Sequence, residues 1–313
     1  MNVIHLGSGA RNRLWIEAVQ RYPGARSTAL VSAESAAVTA GGSALPVFQT
    51  LGDALDKVGA EIAVVSGHQA TDWATQALQA KLSVVMDEVG VVDGAGFRSL
   101  QSAATATGSS VHWPQRYRYA RCENVLKRLI DSGRLGGIGH VSCIDQAKSD
   151  GVGDGQSPHV STTGFEQFHA LRRLFAVLPR KVMARLGPGP GSKDRTEAFL
   201  EFDGGLHVHY SGYTGAQRSS HELWVEGSEG SVRTDGNAVW WRKRGWRFFL
   251  PLKFGFARDP QDPVDARATL DAIAAARKGT NASPPDLSAI AAVAAAVESH
   301  RRRAAVALSE FAG

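Results

Sequence analysis

The residues best suited to hold a ligand sit at the start of the chain. Gly7-Ser8-Gly9-Ala10-Arg11-Asn12 reads G-x-G-x-x-N, directly after the apolar run Val3 to Leu6 and directly before a helical pattern from Arg13 to Arg21. The first glycine permits a tight turn. The second lets backbone N–H groups approach a pyrophosphate, whose charge is favoured by the positive end of the following helix. The third glycine of the usual pattern is Asn12 here, and the competing reading is a plain tight turn without a ligand. An acid at the end of the second strand would bind the ribose diol of NAD and repel a 2′-phosphate. Ser32-Ala33-Glu34 puts no acid nearest that end, and Arg11 and Arg26 are cations suited to a 2′-phosphate. The expectation is NAD(P), leaning to NADP, with Glu34 in the acidic role as the alternative.

The elements that must position this turn follow from periodicity. Val3 to Leu6, Thr28 to Val31, Ile62 to Val65, Ser83 to Met86 and Ser110 to Trp113 are short apolar runs. Helical patterns separate them at Arg13 to Arg21, Glu34 to Ala40, Thr71 to Ala80 and Phe97 to Thr107. Such alternation predicts a parallel sheet covered on both faces, with ligands at the carboxyl ends of its strands. After a boundary near Trp113-Pro114, a helix from Arg118 to Gly133 leads into strand-like runs from Ile138 to Leu250, interrupted by a helix from Gly164 to Val177. Asp203-Gly204-Gly205 and Asp235-Gly236-Asn237 supply hairpin turns. Two helices, Asp262 to Arg277 and Asp286 to Leu308, close the chain. The predicted class is α/β. A Rossmann domain spans 1–115, and an α+β domain with a mainly antiparallel open sheet spans 116–313, its C-terminal helices free to pack back on the first.

Composition narrows the partners. With 35 basic and 30 acidic residues the net charge is +5, and the basic cluster Arg301-Arg302-Arg303 beside His300 reads as a solvated helix end rather than a nucleic-acid stripe. No run reaches the roughly 18 apolar residues of a membrane span, and Met1-Asn2 enters a strand with no basic leader. The expectation is a cytoplasmic protein acting on a small molecule, without nucleic acid or membrane. Cys122 and Cys143 read as two reduced thiols, with one disulfide as the alternative. His207 and His209 share a strand face but lack a third ligand, so no metal is expected. Trp240, Trp241, Trp246, Phe248 and Phe249 suit either sheet packing or a subunit interface, and an open sheet is often covered by another copy, as in a homo-dimer or tetramer.

Two longer stretches carry a family resemblance. HWPQRYRYARCENVLKRLIDSGRLGGIGHV runs from a strand into an Arg/Tyr-rich helix start and then a glycine turn into the next sheet, and LWVEGSEGSV forms a late hairpin. In this order they resemble the glucose–fructose oxidoreductase/inositol dehydrogenase (Gfo/Idh/MocA) family over essentially the whole length. The resemblance implies hydride transfer between a nicotinamide and a carbinol or carbonyl carbon of a carbohydrate-like substrate. The family's Glu-Lys-Pro falls on Asp87-Glu88-Val89 here, or one residue on with Val89 at the lysine; under either alignment the lysine is missing, and under the first Asp87 stands at the cofactor-lining glutamate. Of its Asp-x-x-x-His pair, His169 is kept, while Phe165 takes the aspartate position beside Glu166.

The resemblance therefore implies His169 as general acid/base, with Glu88 as a replacement acid/base, and a helix histidine packed against the sheet as the competing reading. Ser66-Gly67-His68 would line the cofactor. Arg116, Tyr117, His159, Glu166 and Gln167 would reach substrate, His159 covering the pocket after the loop Asp150 to Pro158. Two further readings stay open: a non-catalytic dinucleotide sensor or partner, and a lyase or hydrolase working through transient hydride transfer.

Overall fold

The computed structural model describes residues 1–7, 10–32, 39–40, 43–90, 92–114, 121–148, 159–189, 192–252, 266–277 and 287–311. In chain order the first elements are β1 (Asn2–Leu6), α1 (Ala10–Arg21), β2 (Arg26–Val31), β3 (Thr39–Ala40), β4 (Ser43–Ala44), β5 (Val47–Phe48), α2 (Leu51–Lys57), β6 (Ile62–Val65), α3 (Ala70–Gln79), β7 (Ser83–Met86), α4 (Gly94–Thr107) and β8 (Val111–His112). They are followed by α5 (Arg121–Asp131), β9 (Ile138–Lys148), α6 (Thr163–Phe175), β10 (Pro179–Gly189), β11 (Ser192–Phe202), β12 (His207–Ala216), β13 (Ser220–Gly227), β14 (Gly230–Thr234), β15 (Val239–Lys243), β16 (Leu250–Leu252), α7 (Ala266–Arg277), α8 (Ser288–Arg302) and β17 (Val306–Ala307). The chain divides into two compact units. One comprises Met1–Arg116, Asp150–Ser157 and Asp259–Leu287, and the other Tyr117–Ser149, Pro158–Arg258 and Ser288–Gly313.

The first unit is a Rossmann-type α/β layer structure. Its six-stranded sheet runs β5-β2-β1-β6-β7-β8, and every pairing is parallel. All four residues of β6 are buried, as a strand covered on both faces requires. Helix α1 sets Trp15, Ala18 and Val19 against Val3, Ile62, Val64 and Val85, and Ala266, Leu270 and Ile273 of α7 complete the same core cluster. Spacings of three and four residues put α7's three on one helical face. Burying each larger one contributes about 1.5–3 kcal/mol. Of the two closing helices, α7 thus belongs to the first unit and α8 to the second. Local caps set the helix ends: Thr50 accepts the N–H of Asp53 at the start of α2, and Asp93 accepts those of Ala95 and Gly96 at the start of α4.

The helix expected from Glu34 to Ala40 is corrected at its end. Thr39–Ala40 form a strand paired with Ser43–Ala44, and residues 34–38 lie outside the described set. The Ala-rich composition favours helix, but the β-branched Thr39 and the antiparallel pairing with Ser43–Ala44 set this end as a strand. The periodicity also passed over β5 and α2, which are too short to show a period.

The second unit is α+β. Its nine-stranded sheet runs β16-β15-β14-β13-β9-β12-β11-β10-β17, antiparallel except where β9 lies parallel to β12. Helix α6 buries Phe165, Gln167, Phe168, Leu171 and Leu174, and it ends at Ala176 in the left-handed region with φ 56°. Cys122 and Cys143 are buried and free. No helix among the described residues is long and apolar enough to cross a membrane.

Candidate functional site

In the first unit the turns after β1, β6 and β7 nest on one another. Gly7 adopts φ +102°, and a Cβ there would lie 2.1 Å from the Ser66 carbonyl oxygen. Only glycine lets the turn after β1 come this close to the turn after β6. Asn12, buried at the third-glycine position, explains that departure from the motif. Its Nδ2 donates to the Gly7 carbonyl at 2.8 Å, and its Oδ1 accepts the Ser66 hydroxyl at 2.9 Å. The side chain replaces close packing with a hydrogen-bonded knot that fixes both turns. Gly90 repeats the device on the far side: at φ +68°, a Cβ would lie 2.4 Å from the His68 carbonyl oxygen.

The charged residues of this site form one clasp. Arg11 Nη1 lies 3.5 Å from Asp87 Oδ2, and its Nε lies 3.6 Å from Glu88 Oε1. Glu88 Oε2 accepts the Gly67 N–H at 2.9 Å. Both carboxylates are buried, and a buried carboxylate is tolerated when a cation and hydrogen bonds compensate its lost hydration. Arg11, Ser66, Gly67, Asp87 and Glu88 are therefore brought together at the carboxyl ends of β1, β6 and β7. Ser32 ends β2, buried, with its N–H donating to the Phe48 carbonyl at 3.0 Å. His68 is half-buried on the turn after β6. Ala10 opens α1. Ser8, Gly9, Ala33, Glu34, Arg116 and Tyr117 lie outside the described residues.

In the second unit, α6 places Gln167 in the interior and leaves Glu166 and His169 half-buried. Phe165, at the position of the resembled family's aspartate, is packed in the core with 2% exposure. His159 corrects the sequence reading of a loop side chain: it lies in a 3₁₀ turn, His159–Ser161, and is fully buried. Its backbone N–H donates to Asp194, and its Nδ1 lies 3.3 Å from the Tyr210 hydroxyl. The ring fits because residue 212 is glycine. A Cβ there would sit 2.2 Å from His159 Cε1 and 2.4 Å from the Tyr210 hydroxyl.

A polar row that the sequence reading missed surrounds that ring. In register across the sheet, His221 pairs with Asp145, Asp145 with Gly212, and Gly212 with Thr196. The next rows along the same face are Leu223, Cys143, Tyr210 and Ala198, then Val225, Val141, Val208 and Leu200. The face is apolar until this end, where it turns polar. Asp145 Oδ1 lies 4.0 Å from His221 Nδ1. Asp145 Oδ2, His159 Nε2, Ser161 Oγ and Thr196 Oγ1 are buried without a hydrogen-bond partner among the described residues. Burial, then the Glu166 charge, push the Asp145 carboxyl up to about 8 against the pull of a Gln167 hydrogen bond. Burial lowers His159 and His221 to about 4 each. The row is thus made of uncharged donors and acceptors at neutral pH. The signal that could have found it was the alternation Val141, Cys143, Asp145, which puts an acid on the apolar side of β9.

The opposite face of this sheet carries the aromatic cluster. Arg233 stacks over Trp240 and Phe249 at 5.1 and 4.9 Å, and Arg242 over Phe249 at 4.7 Å. Trp224, Arg233 and Trp240 line a groove of about 280 Å³ there. His209 stacks on Phe199 and meets Glu197 at 3.2 Å. No group of three metal-ligating side chains occurs among the described residues.

No family model matches the chain, nor does any of the curated proteins. Solved structures do. An oxidoreductase from Agrobacterium radiobacter, in complex with NAD+, L-tartaric acid and magnesium, is 12% identical with a TM-score of 0.73, the match covering 99% of this chain and 98% of that one. Levoglucosan dehydrogenase in complex with NADH and L-sorbose is 14% identical with a TM-score of 0.75, covering 98% and 99%. Biliverdin reductase from Synechocystis sp. PCC 6803, in complex with biliverdin and NADP+, is 14% identical with a TM-score of 0.76, covering 97% and 98%. Likeness at these identities establishes the two-unit fold over the full length. Chemistry has to come from the residues.

Proposed function

We propose that the chain is an NAD(P)-dependent oxidoreductase acting on a small carbonyl or hydroxyl compound of carbohydrate type. The observation that carries this reading is the turn after β1. Gly7, at φ +102° and within 2.1 Å of Ser66 by its virtual Cβ, opens a close approach that leads directly into α1. No acid occupies the first turn of α1, so the positive end of that helix stays suited to a diphosphate. The bound nucleotide would supply or accept the hydride. Gly7 and the N-terminal turn of α1 would hold its diphosphate, and Ser66, Gly67 and His68 would line it. The Arg11–Asp87–Glu88 clasp would keep those turns in place, so Glu88 acts as a positioning carboxylate rather than as the acid/base the sequence suggested. His169 would hold or release the substrate proton at a ring nitrogen, since imidazole titrates near neutrality. The likeness to dehydrogenase structures supports the fold on which this chemistry rests.

The test is a tryptophan-fluorescence titration with NAD+, NADH, NADP+ and NADPH, followed by absorbance at the reduced-nicotinamide band with a panel of sugars, cyclitols and polyols. At least one nucleotide binds and at least one panel member is turned over. His169→Gln keeps nucleotide affinity and loses about 100-fold or more in kcat. If none of the four nucleotides binds, the reading fails.

A second reading, a non-catalytic nucleotide sensor, is favoured by one observation. The position of the resembled family's lysine holds Glu88, which is engaged by Arg11 and the Gly67 N–H. In that case the nucleotide binds, the panel stays inert, and His169→Gln changes nothing.

A further inference from the structure

We infer that the nucleotide site of the first unit selects NAD over NADP, because neither Arg11 nor Arg26, the arginines nominated for a 2′-phosphate, faces the end of β2. The inference rests on the reading above that this unit holds a dinucleotide, and it reverses the leaning drawn from residue types alone. NADP differs from NAD by a phosphate on the adenosine ribose, which is recognised beside the carboxyl end of the second strand and needs a cation there. The sequence contains no lysine or arginine from Ser32 through Asp56. Arg11 and Arg26 are the two cations that sequence reasoning nominated for that place.

Arg26 is at the wrong end. It is the first residue of β2, and its Nε donates to Asn2 Oδ1 at 2.8 Å, beside the first residue of β1. At about 3.3 Å per residue, the strand separates it by roughly 16 Å from the Val31–Ser32 end where a ribose would lie. Arg11 is at the right end of the sheet but turns the other way. Its guanidinium lies 3.5 Å from Asp87 and 3.6 Å from Glu88, both following β7. The sheet order places β1 and β6 between β2 and β7, about 14 Å of sheet at the usual strand spacing. Drawing Arg11 towards β2 would strip a cation from two buried carboxylates, which is unfavourable, and would loosen the clasp that holds the Gly67 turn. A ribose diol makes no such demand, because hydroxyl hydrogen bonds suffice. Arg13, exposed on α1, is the one other arginine next to the glycine turn, and it belongs in the test.

The experiment is isothermal titration of the full chain with NAD+ and with NADP+, repeated for Arg11→Ala and Arg13→Ala. NAD+ is expected to bind at least tenfold more tightly. Arg11→Ala is expected to weaken both nucleotides by the same factor, since the residue organises the turns rather than contacting a 2′-phosphate, and Arg13→Ala to leave the ratio unchanged. Equal or tighter binding of NADP+ overturns the inference while leaving the dinucleotide reading intact. So does a loss confined to NADP+ in either variant. Absence of binding by both nucleotides overturns the dinucleotide reading and the inference with it. Should Arg11→Ala fail to fold, the wild-type affinity ratio decides the matter alone.

Discussion

Replacing Asp145 by asparagine perturbs a single titrating group with named neighbours among the described residues. Asp145 is buried at the polar end of β9, beside His221 and within the field of Glu166, with a Gln167 hydrogen bond as partial compensation. Its carboxyl moves from 3.8 to about 8 on folding, so between those values the folded chain holds a proton that the unfolded chain has released. Stability must then fall as pH rises through that window, because the unfolded state binds fewer protons. From 3.8 to pH 7, at roughly 1.4 kcal/mol per unit, the cost of the native aspartate reaches about 4 kcal/mol. This is a ceiling, since any opening of the sheet end to water relaxes it. His221 and His159, lowered by burial from 6.5 to about 4, act with the opposite sign: each adds stability as pH rises from about 4 to 6.5. The wild-type profile therefore mixes several slopes, and only the difference between wild type and Asp145→Asn isolates the carboxyl.

Urea unfolding at half-unit steps from pH 4 to pH 9 measures that difference. Asp145→Asn is expected to gain on wild type steadily up to about pH 8 and then level off, and to be the more stable protein at pH 7. A difference that does not change with pH would refute the claim that this carboxyl stays protonated in the fold. A variant that loses ground on wild type as pH rises would refute it equally.

Three further outcomes follow from contacts. Gly212→Ala drives a Cβ to 2.2 Å from the His159 ring; the unfolding free energy from urea titration should fall by about 1–3 kcal/mol, and an unchanged value would mean that the ring is not seated there. Gly7→Ala combines φ +102° with a 2.1 Å approach to the Ser66 carbonyl; it should cost about 2 kcal/mol or more and abolish nucleotide-induced quenching of tryptophan fluorescence, whereas retained binding would displace the turn from its assigned role. Phe165→Asp, which restores the resembled family's residue type, should cost about 3–5 kcal/mol and give no gain in turnover, since position 165 is in the core with 2% exposure; thermal melting and kcat together check it.

The parts of this protein that local sequence dictates were readable directly. Five apolar runs separated by helical patterns required a parallel sheet, and the glycine turn had to fall at its first strand–helix junction; β1, β6, β7 and the entry to α1 lie there. Asp203-Gly204-Gly205 and Asp235-Gly236-Asn237 fixed two strand reversals, because turn chemistry is a property of a few adjacent residues. The helix expected over Glu34 to Ala40 fails at its end, where Thr39–Ala40 pair as a strand with Ser43–Ala44.

Side-chain partners depend instead on strand order, which no local pattern contains. Arg11 could serve a phosphate beside β2 or carboxylates beyond β6, and only the order β2-β1-β6-β7 with its salt bridges shows that it pairs with Asp87 and Glu88. His159 read as a loop residue until the missing side chain of Gly212, 53 positions later in the numbering, gave its ring a place. Asp145 and Thr196 join one row only because β9, β12 and β11 pair in a particular register. The sequence by itself determined which segments form strands, helices and the glycine turn, since those depend on interactions between near neighbours. Tertiary structure alone decided which charges meet and which polar atoms leave water, because both follow from contacts between residues far apart in the chain.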